Sequence, residues 1–337
     1  MEGKIGAKIV VIGGGTGSFV VLSGLKNYAR DITALVNMAD DGGSTGQLRD
    51  ELGVLPPGDV RQCLVALSRS PRVRDLFNYR FDEGSLSGHA FGNLFLTALQ
   101  KMTGDFAKAI SLAEEVLRVD GHVVPMTLND VELVAKIGRQ VLHGQHEVEV
   151  VGKFANARAV KFSVVKKSGR GKVVANFEAL AAIAEADLIV VAPGNLYCSL
   201  APTLAVPGVG AALKKSTAKK LYICNLVTKP GQTDGFAVHD FANEIERLAG
   251  EEFLDYVIYN VHQPSRKLLE IYAHDGELPV AIDAAKLKTA HYRAKGAELL
   301  AGEIWSGSKS DPLAKSRTLI RHDPDAVARQ IMKIYFS

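Results

Sequence analysis

The sequence has few of the features that mark secreted, membrane or redox-active proteins. Only three cysteines occur, Cys63, Cys198 and Cys224, and they lie far apart with no Cys-x-x-Cys pair. This usage predicts small core residues in a reducing compartment rather than disulfides or metal ligands. No apolar run approaches the ~20 residues of a membrane span, and the N-terminus carries no signal-peptide core. We therefore expect a cytoplasmic protein with no membrane insertion.

Charge and catalytic motifs are sparse as well. A formal net charge of +3 over 337 residues provides no basic stripe, so no nucleic-acid partner is predicted. The Gly-Lys-Ser/Thr of a P-loop is missing, and no Gly-x-Ser-x-Gly elbow supports Ser-His-Asp catalysis. These absences exclude the commonest sequence signatures of nucleotide hydrolysis and of ester hydrolysis.

What the chain does contain is a regular alternation of strand-like and helical patterns along almost its whole length. This alternation predicts an α/β fold, Rossmann-like and doubly wound, with a mainly parallel sheet. The predicted strands are KIVVI, DITALVNM, ADLIVVAPGN, KKLYICNLV, LDYVIYNV and LPVAID.

Residues 121–175 break this rhythm with short alternating strands and turns rich in Gly and Lys. We interpret them as a small β-rich insertion, which leaves 1–120 and 176–337 as a Rossmann-like nucleotide-binding domain. His143 and His146 fall in a predicted turn of the insertion, without an acid or a cysteine at metal-ligand spacing. Residues 284–318 are polar and are predicted to carry a mobile excursion.

The first strand runs into a glycine loop and then into a helix, in the stretch KIVVIGGGTGSFVVLSGLK. A glycine loop at a helix N-terminus lets an anion, most often a phosphate, approach the backbone amides. The alternative is a tight turn without a ligand, and Ser18 stands where a dinucleotide fingerprint has its third small residue. The candidate phosphate-binding residues are Gly13, Gly14, Gly15, Thr16 and Gly17.

The second predicted strand is followed by two adjacent carboxylates and another glycine pair: Asp40, Asp41, Gly42 and Gly43. Two carboxylates at a strand end can hold a ribose or a Mg²⁺ ion that bridges diphosphate oxygens. Asp40 and Asp41 are therefore the candidate metal ligands, with capping of the next helix as the alternative. Asp59 follows a Leu-Pro-Pro-Gly turn and is predicted to cap a helix.

Polar residues also follow the later strands, at the edge where ligands of doubly wound sheets bind. The stretches PGNLYCSL and CNLVTKPGQTDGF supply amide and hydroxyl groups, and SGHAFGNLF places a histidine and an asparagine one helical turn apart. The candidates from these stretches are His89, Asn93, Gly194, Asn195, Asn225 and Thr233.

These motifs together resemble the gluconeogenesis-factor family, the bacterial branch of a superfamily that also contains 2-phospho-L-lactate transferase. The resemblance rests on IGGGTG, ADDGGSTGQLRDELGVLPPGDVRQCLVAL, LSGHAFGNLFL, APGNLYCSL, CNLVTKPGQTDGF and RHDPDAV, in that order between about residue 8 and residue 335. It implies a Rossmann-like cytoplasmic protein that binds UDP-N-acetylglucosamine. It also implies a role in cell shape and in growth on gluconeogenic carbon sources, with a regulatory protein of cell-wall synthesis as partner.

Two ligand positions of that branch carry over by motif. The tyrosine before Gly-x-x-Pro-Val falls on Tyr272, and the arginine of Arg-His-Asp falls on Arg321. The resemblance implies that Tyr272 stacks on a pyrimidine and that Arg321 takes a diphosphate bidentately.

Three functions remain open from the sequence. The first is a nucleotide-sugar-binding regulator, and the second is a transferase that uses Mg²⁺ with a nucleotide diphosphate. The third is an NAD-dependent dehydrogenase, which the glycine loop and Asp40 permit although no catalytic histidine–acid set follows. Ala192-Pro193-Gly194-Asn195 is closer to the regulatory branch than to the Gly-Pro-Ser-Asn of the transferase branch. The sequence favours the regulator and leaves a homo-oligomer open.

Overall fold

A computed structural model describes residues 4–150, 159–302 and 320–337. The strands are β1 Ile5–Ile12, β2 Ala29–Val36, β3 His122–Pro125, β4 Val131–Ile137, β5 Gln140–His143, β6 Lys161–Lys166, β7 Leu188–Val191, β8 Lys219–Ile223, β9 Tyr256–Asn260 and β10 Arg293–Ala297. The helices are α1 Gly15–Leu25, α2 Gly43–Leu52, α3 Gly58–Leu67, α4 Pro71–Asn78, α5 Phe91–Thr103, α6 Phe106–Leu117, α7 Gly144–Val150, α8 Phe177–Glu185, α9 Ala201–Leu204, α10 Val209–Lys215, α11 Val238–Ala249, α12 Arg266–His274, α13 Ala284–Thr289 and α14 Pro324–Tyr335.

Seven strands form one sheet in the order β3-β2-β1-β7-β8-β9-β10, and all their pairings are parallel. The chain winds from β1 outward to β3 and then returns to β7, on the other side of β1. This reversal between β1 and β7 is the switch point at which ligands of doubly wound sheets bind. The predicted Rossmann-like fold is confirmed.

Helices cover both faces of this sheet. On one face α1 packs against α3 and α14, whereas α8, α10 and α11 pack together on the other. A strand covered on both faces is apolar along its whole length, and β7, Leu-Ile-Val-Val, is buried at every position. The three cysteines are buried and free, as their spacing predicts.

A smaller antiparallel sheet, β5-β4-β6, accounts for most of the predicted insertion, although β3 from the same range joins the main sheet. The helix α7 follows β5 and reaches across the carboxyl edge of the main sheet. Its His146 N–H donates to Asp41 Oδ1 (3.0 Å), and Lys229 forms an ion pair with its Glu149. The small sheet and α7 therefore cover part of the edge that carries the candidate site.

One strand prediction for the C-terminal half is wrong. LPVAID forms no strand, because it makes only single bridges, Val227 to Pro279 and Ala237 to Ala281. Within the range 284–318 the described residues form α13 and the edge strand β10. Residues 303–319 lie outside the described part, so the excursion predicted within this range stays a prediction.

In the described ranges no single helix is long and apolar enough to span a membrane. One bent helix pair, Leu196–Leu204 with Val209–Lys215, meets that test of length and composition jointly.

Candidate functional site

A cavity of about 210 Å³ opens at the switch point between β1 and β7. Segments from four distant parts of the chain line it, and six of the residues predicted from sequence are among them: Thr16, Gly17, Gly194, Asn195, Asn225 and Arg321. We call this cavity the switch-point cleft. The structure thus brings the glycine loop, two later strand ends and the terminal Arg-His-Asp motif to one place.

The glycine loop forms one wall of the switch-point cleft. Its helix, α1, has Gly14 at the N-cap without a side-chain cap, and helix geometry leaves the first amides without intrahelical acceptors. Gly17 lies so close to the β7 loop that a Cβ built on it would stand 1.6 Å from the Pro193 carbonyl oxygen. Glycine here allows α1 to approach the β7 loop and brings its N-terminus to the cleft.

The loop after β7 is held by side chains from its own surroundings. Asn225 donates from Nδ2 to the Gly194 carbonyl (2.8 Å), while its Oδ1 accepts from the Tyr222 hydroxyl (2.8 Å). Asn195 Oδ1 accepts from the Tyr197 and Cys198 amides, both at 3.1 Å, and so caps the helical turn Leu196–Leu200. Both asparagines therefore fix the shape of the wall.

Arg321 closes the cleft from the opposite side, and its backbone is fixed on both flanks. The Ile320 amide donates to the Tyr272 hydroxyl (2.8 Å), and His322 Nε2 donates to the Cys224 carbonyl (3.1 Å). Asp323 then caps α14 through the Ala326 amide (2.6 Å). Burial lowers the pKa of His322 to about 4, so the imidazole is neutral at physiological pH and acts as a structural donor.

Tyr272 is placed beside the cleft rather than in it. Only 6% of its surface is exposed, and its hydroxyl holds the backbone next to Arg321. Stacking on a pyrimidine would require the ring to leave this position. In this conformation Tyr272 orients Arg321.

A second cavity of about 260 Å³ shares Arg321 and extends toward the end of β9. His262, Gln263 and Ser265 contribute to its lining, and sequence reasoning missed all three. They follow the predicted strand LDYVIYNV directly, so the rule that ligands bind beyond the carboxyl ends of strands could have found them. The two cavities adjoin at Ile320 and Arg321, which line both, and we call them together the groove.

On its other side the glycine loop faces a recess lined by two carboxylates, Asp40 and Asp59. The Gly15 amide donates to Asp59 Oδ1 (2.8 Å), and Asp40 accepts hydrogen bonds from the Gly42 amide and the Thr45 side chain. We call Asp40, Asp59 and Thr45 the carboxylate recess. The cap predicted for Asp59 is wrong: Pro57 holds the N-cap of α3, because the carboxylate is drawn to the glycine loop.

The carboxylates of the recess lose much of their hydration and repel each other. Burial, followed by the charge of Asp40, raises the pKa of Asp59 to about 7, and burial also raises the pKa of Asp40. Carboxylates in such a state favour a proton or a cation.

The adjacent Asp41 does not join Asp40 in the recess. Its carboxylate accepts from the His146 amide of α7, and its Oδ2 would meet a Cβ on Gly144 at 2.1 Å. Neighbouring side chains of an extended segment point in opposite directions, which separates the two carboxylates. The carboxylate that lies beside Asp40 is therefore that of Asp59 and not that of Asp41.

His89 and Asn93 meet at a single hydroxyl beyond the recess. Ser44 Oγ lies 3.0 Å from His89 Nδ1 and accepts from Asn93 Nδ2 at 3.2 Å. Arg61 Nε donates to Asn93 Oδ1 (3.0 Å). His89 precedes the helix α5 rather than lying in it, yet the two side chains converge as the sequence predicts.

The remaining predicted residues shape the loops. Gly13 and Gly43 have positive φ angles of 151° and 45°, and Gly42 is the N-cap of α2. Thr233 is buried, and its hydroxyl accepts from the Lys229 amide (2.7 Å), which closes the loop after β8 away from the cleft.

Replacing Asp40 with Asn is expected to lower the pKa of Asp59 toward that of an ordinary aspartate, because the repelling charge is removed. In the parent the native state keeps a proton on Asp59 that the unfolded chain has already lost. The free energy of unfolding should then fall as pH rises from about 4 to about 7, and it should fall less in Asp40→Asn. Carboxyl ¹³C titration by NMR and urea unfolding at several pH values measure the two effects. An unchanged Asp59 pKa would show that the carboxylates do not interact.

Comparison with known proteins matches the chain to one family and to several relatives. The chain matches the family described as "2-phospho-L-lactate transferase CofD" over residues 9–300. The chain is 37% identical over 331 residues to the "Gluconeogenesis factor" of Bacillus subtilis, and this match covers 97% of this chain and 98% of that protein. The "Gluconeogenesis factor" of Halalkalibacterium halodurans is 42% identical over 292 residues, or 83% of this chain and 85% of that protein.

A crystal structure of a Bacillus halodurans protein, described as a member of the UPF0052 family, superposes with a TM-score of 0.84. It is 36% identical in sequence, and the match covers 97% of this chain and 99% of that one.

Proposed function

Because the chain belongs to the 2-phospho-L-lactate transferase CofD family, and its relatives are named gluconeogenesis factors, we propose that it is a regulator that binds a nucleotide sugar. The ligand is UDP-N-acetylglucosamine, bound in the switch-point cleft. Binding reports the supply of this precursor to a protein of cell-wall synthesis, and through it affects cell shape and growth on gluconeogenic carbon sources.

The position of Arg321 opposite the N-terminus of α1 supports this proposal best. A diphosphate placed between them would meet the first amides of the helix on one side and a guanidinium on the other. Because Ile320, His322 and Asp323 are each hydrogen-bonded, the Arg321 backbone has little freedom to lose on binding. The groove that continues past Arg321 to His262 and Ser265 offers room for a sugar.

Calorimetric titration of the protein with UDP-N-acetylglucosamine, UDP, GDP and NAD tests the ligand. We expect UDP-N-acetylglucosamine to bind with the highest affinity, one molecule per chain. Tighter binding of GDP would favour the transferase, and tighter binding of NAD would favour the dehydrogenase. Either result would contradict the proposal.

The carboxylate recess favours one second candidate, a phosphoryl-group transferase. Two carboxylates and a hydroxyl are hard oxygen donors of the kind that Mg²⁺ prefers. Burial raises the pKa of Asp40 and of Asp59, and the charge of Asp40 raises the pKa of Asp59 further, so a cation in the recess would relieve that repulsion. These residues therefore fit a Mg²⁺ ion, which would supply charge neutralisation at a phosphoanhydride. Asp40 and Asp59 would hold the ion, and the Gly15 amide would orient Asp59.

In that reaction an acceptor hydroxyl attacks the phosphoanhydride of a nucleotide-activated phospholactate, a phosphodiester forms and the nucleotide leaves. Incubation with such a donor, a deazaflavin acceptor and Mg²⁺, followed by nucleotide release, distinguishes the two functions. We expect no release above background. Steady release that is lost in Asp40→Asn would replace the regulator with the enzyme.

A further inference from the structure

A cavity of about 520 Å³ lies at the amino edge of the sheet, the edge opposite the switch-point cleft. Ionisable side chains line most of it, five of them basic and one acidic: Lys4, Lys26, Arg30, Arg69, Arg74 and Asp120. The surplus of positive charge here exceeds the +3 of the whole chain. We call this cavity the amino-edge pocket.

The fold itself gathers these charges. Lys4 precedes β1, Arg30 lies at the start of β2 and Asp120 precedes β3. Lys26 is the C-cap of α1, and Arg74 lies in α4, which follows α3 in the chain and packs against it. Because neighbouring strands are parallel and α1 and α3 run antiparallel to them, their starts and the helix ends meet at one edge.

The carboxylate and two of the cations already satisfy one another. Asp120 Oδ2 accepts from Lys4 Nζ (3.2 Å), and Asp120 also forms an ion pair with Arg69. The negative charge of Asp120 is therefore already paired with Lys4 and Arg69. Lys26 and Arg74 have no carboxylate of their own among the described residues that line it.

The Lys26 ammonium group uses two of its three hydrogen-bond donors within the protein. Its Nζ donates to the Ala66 carbonyl (2.7 Å) and to the Ser68 carbonyl (2.8 Å), and an ammonium group has three donors. Burial, followed by the charge of Arg74, lowers the pKa of Lys26 to about 8. Within the described part of the chain the Arg74 guanidinium makes no hydrogen bond or ion pair, so two neighbouring cations repel each other across the pocket.

We propose that the amino-edge pocket is a second ligand site, which takes a phosphorylated small molecule between Lys26 and Arg74. A multiply charged anion would relieve the repulsion between these cations and accept from the spare ammonium donor and from the guanidinium fork. The volume lies in the range of small-molecule sites, about 300–1,000 Å³. A concave pocket of this size fits a free metabolite better than the phosphate of a lipid headgroup at a flat membrane surface.

Inorganic pyrophosphate is the probe, titrated into the full chain by calorimetry at 0.15 M NaCl. We expect Arg74→Gln to weaken binding at least tenfold. Arg72→Gln is the matched control, because Arg72 is an exposed arginine of the same helix that does not line the pocket; its affinity should stay within twofold of the parent. The Arg74-dependent binding should persist in Arg321→Ala, which separates it from the switch-point cleft.

Two results would overturn the proposal. The first is a parent protein that does not bind pyrophosphate, and the second is equal weakening by Arg72→Gln and Arg74→Gln, which would indicate general charge attraction. In the first case, flotation with phosphatidylglycerol vesicles that depends on Arg74 would show that the ligand is a lipid headgroup. Circular dichroism and thermal unfolding of both variants confirm that each is folded.

Discussion

Gly17→Ala is expected to destabilise the protein by about 3 kcal/mol, the upper end of the usual cost of overpacking. The added Cβ would stand 1.6 Å from the Pro193 carbonyl oxygen, which belongs to the backbone and cannot rotate away. Either α1 or the loop after β7 must move, although both are packed. The gain of about 1 kcal/mol in helix propensity from Gly to Ala offsets little of this cost. Urea unfolding monitored by circular dichroism measures the change.

Gly6→Ala is the matched control for this prediction. A Cβ on Gly6, in β1, meets no atom within 4 Å, so its effect should lie within about 0.5 kcal/mol. If Gly17→Ala is as stable as Gly6→Ala, then α1 does not approach the β7 loop as closely as described. The switch-point cleft would then be wider than its lining residues indicate.

Arg321→Ala is expected to weaken UDP-N-acetylglucosamine binding by about 1.5–3 kcal/mol, the usual worth of a hydrogen bond to a charged group. This corresponds to a loss of affinity of roughly ten- to 150-fold. Arg321→Lys should recover only part of the loss, because an ammonium cannot hold two oxygens in one plane. Calorimetry with the nucleotide sugar measures both variants.

Arg329→Ala controls for loss of an arginine in the same terminal segment. Arg329 is exposed on α14 and forms an ion pair with Asp325 one turn away, so its removal should leave nucleotide-sugar affinity unchanged. Thermal unfolding without ligand should be similar for the parent and both alanine variants. Unaltered affinity in a folded Arg321→Ala would show that the motif carry-over to Arg321 is wrong.

The sequence predicts the part of the fold in which local pattern and tertiary environment agree. The apolar runs at β1 and β7 are covered on both faces, so their composition alone marks them as central strands. The strand β10, Arg-Ala-Lys-Gly-Ala, lies at the edge of the sheet, is mostly exposed and carries a glycine. Such a segment owes its strand conformation to its pairing with β9 and has no pattern that marks it beforehand.

Some residues of the candidate site can likewise be predicted from the sequence, and others cannot. Arg321 is predicted from a motif, and the glycine loop is predicted from a strand–loop–helix pattern. The sequence does not predict that Asp59 lies in the carboxylate recess, because an aspartate beside the start of a helix ordinarily indicates a cap. Only the tertiary fold shows that the Gly15 amide, 44 residues away in the sequence, donates a hydrogen bond to the Asp59 carboxylate. The role of Tyr272 is likewise visible only in the structure. Its buried hydroxyl, and not the face of its ring, contacts the backbone beside Arg321.

The distance along the chain between the walls of the switch-point cleft has a consequence for synthesis on the ribosome. One wall holds Thr16 and Gly17, and the other holds Arg321 and His322. A nascent chain can pair β1 with β2 early, but it has no complete cleft until His322 has been made. Because a ligand stabilises only a state that binds it, a ligand of this cleft cannot assist the earlier folding steps. Until α14 has been made, the face of α1 around Gly24, which lies against Pro324 in the folded protein, remains uncovered during translation.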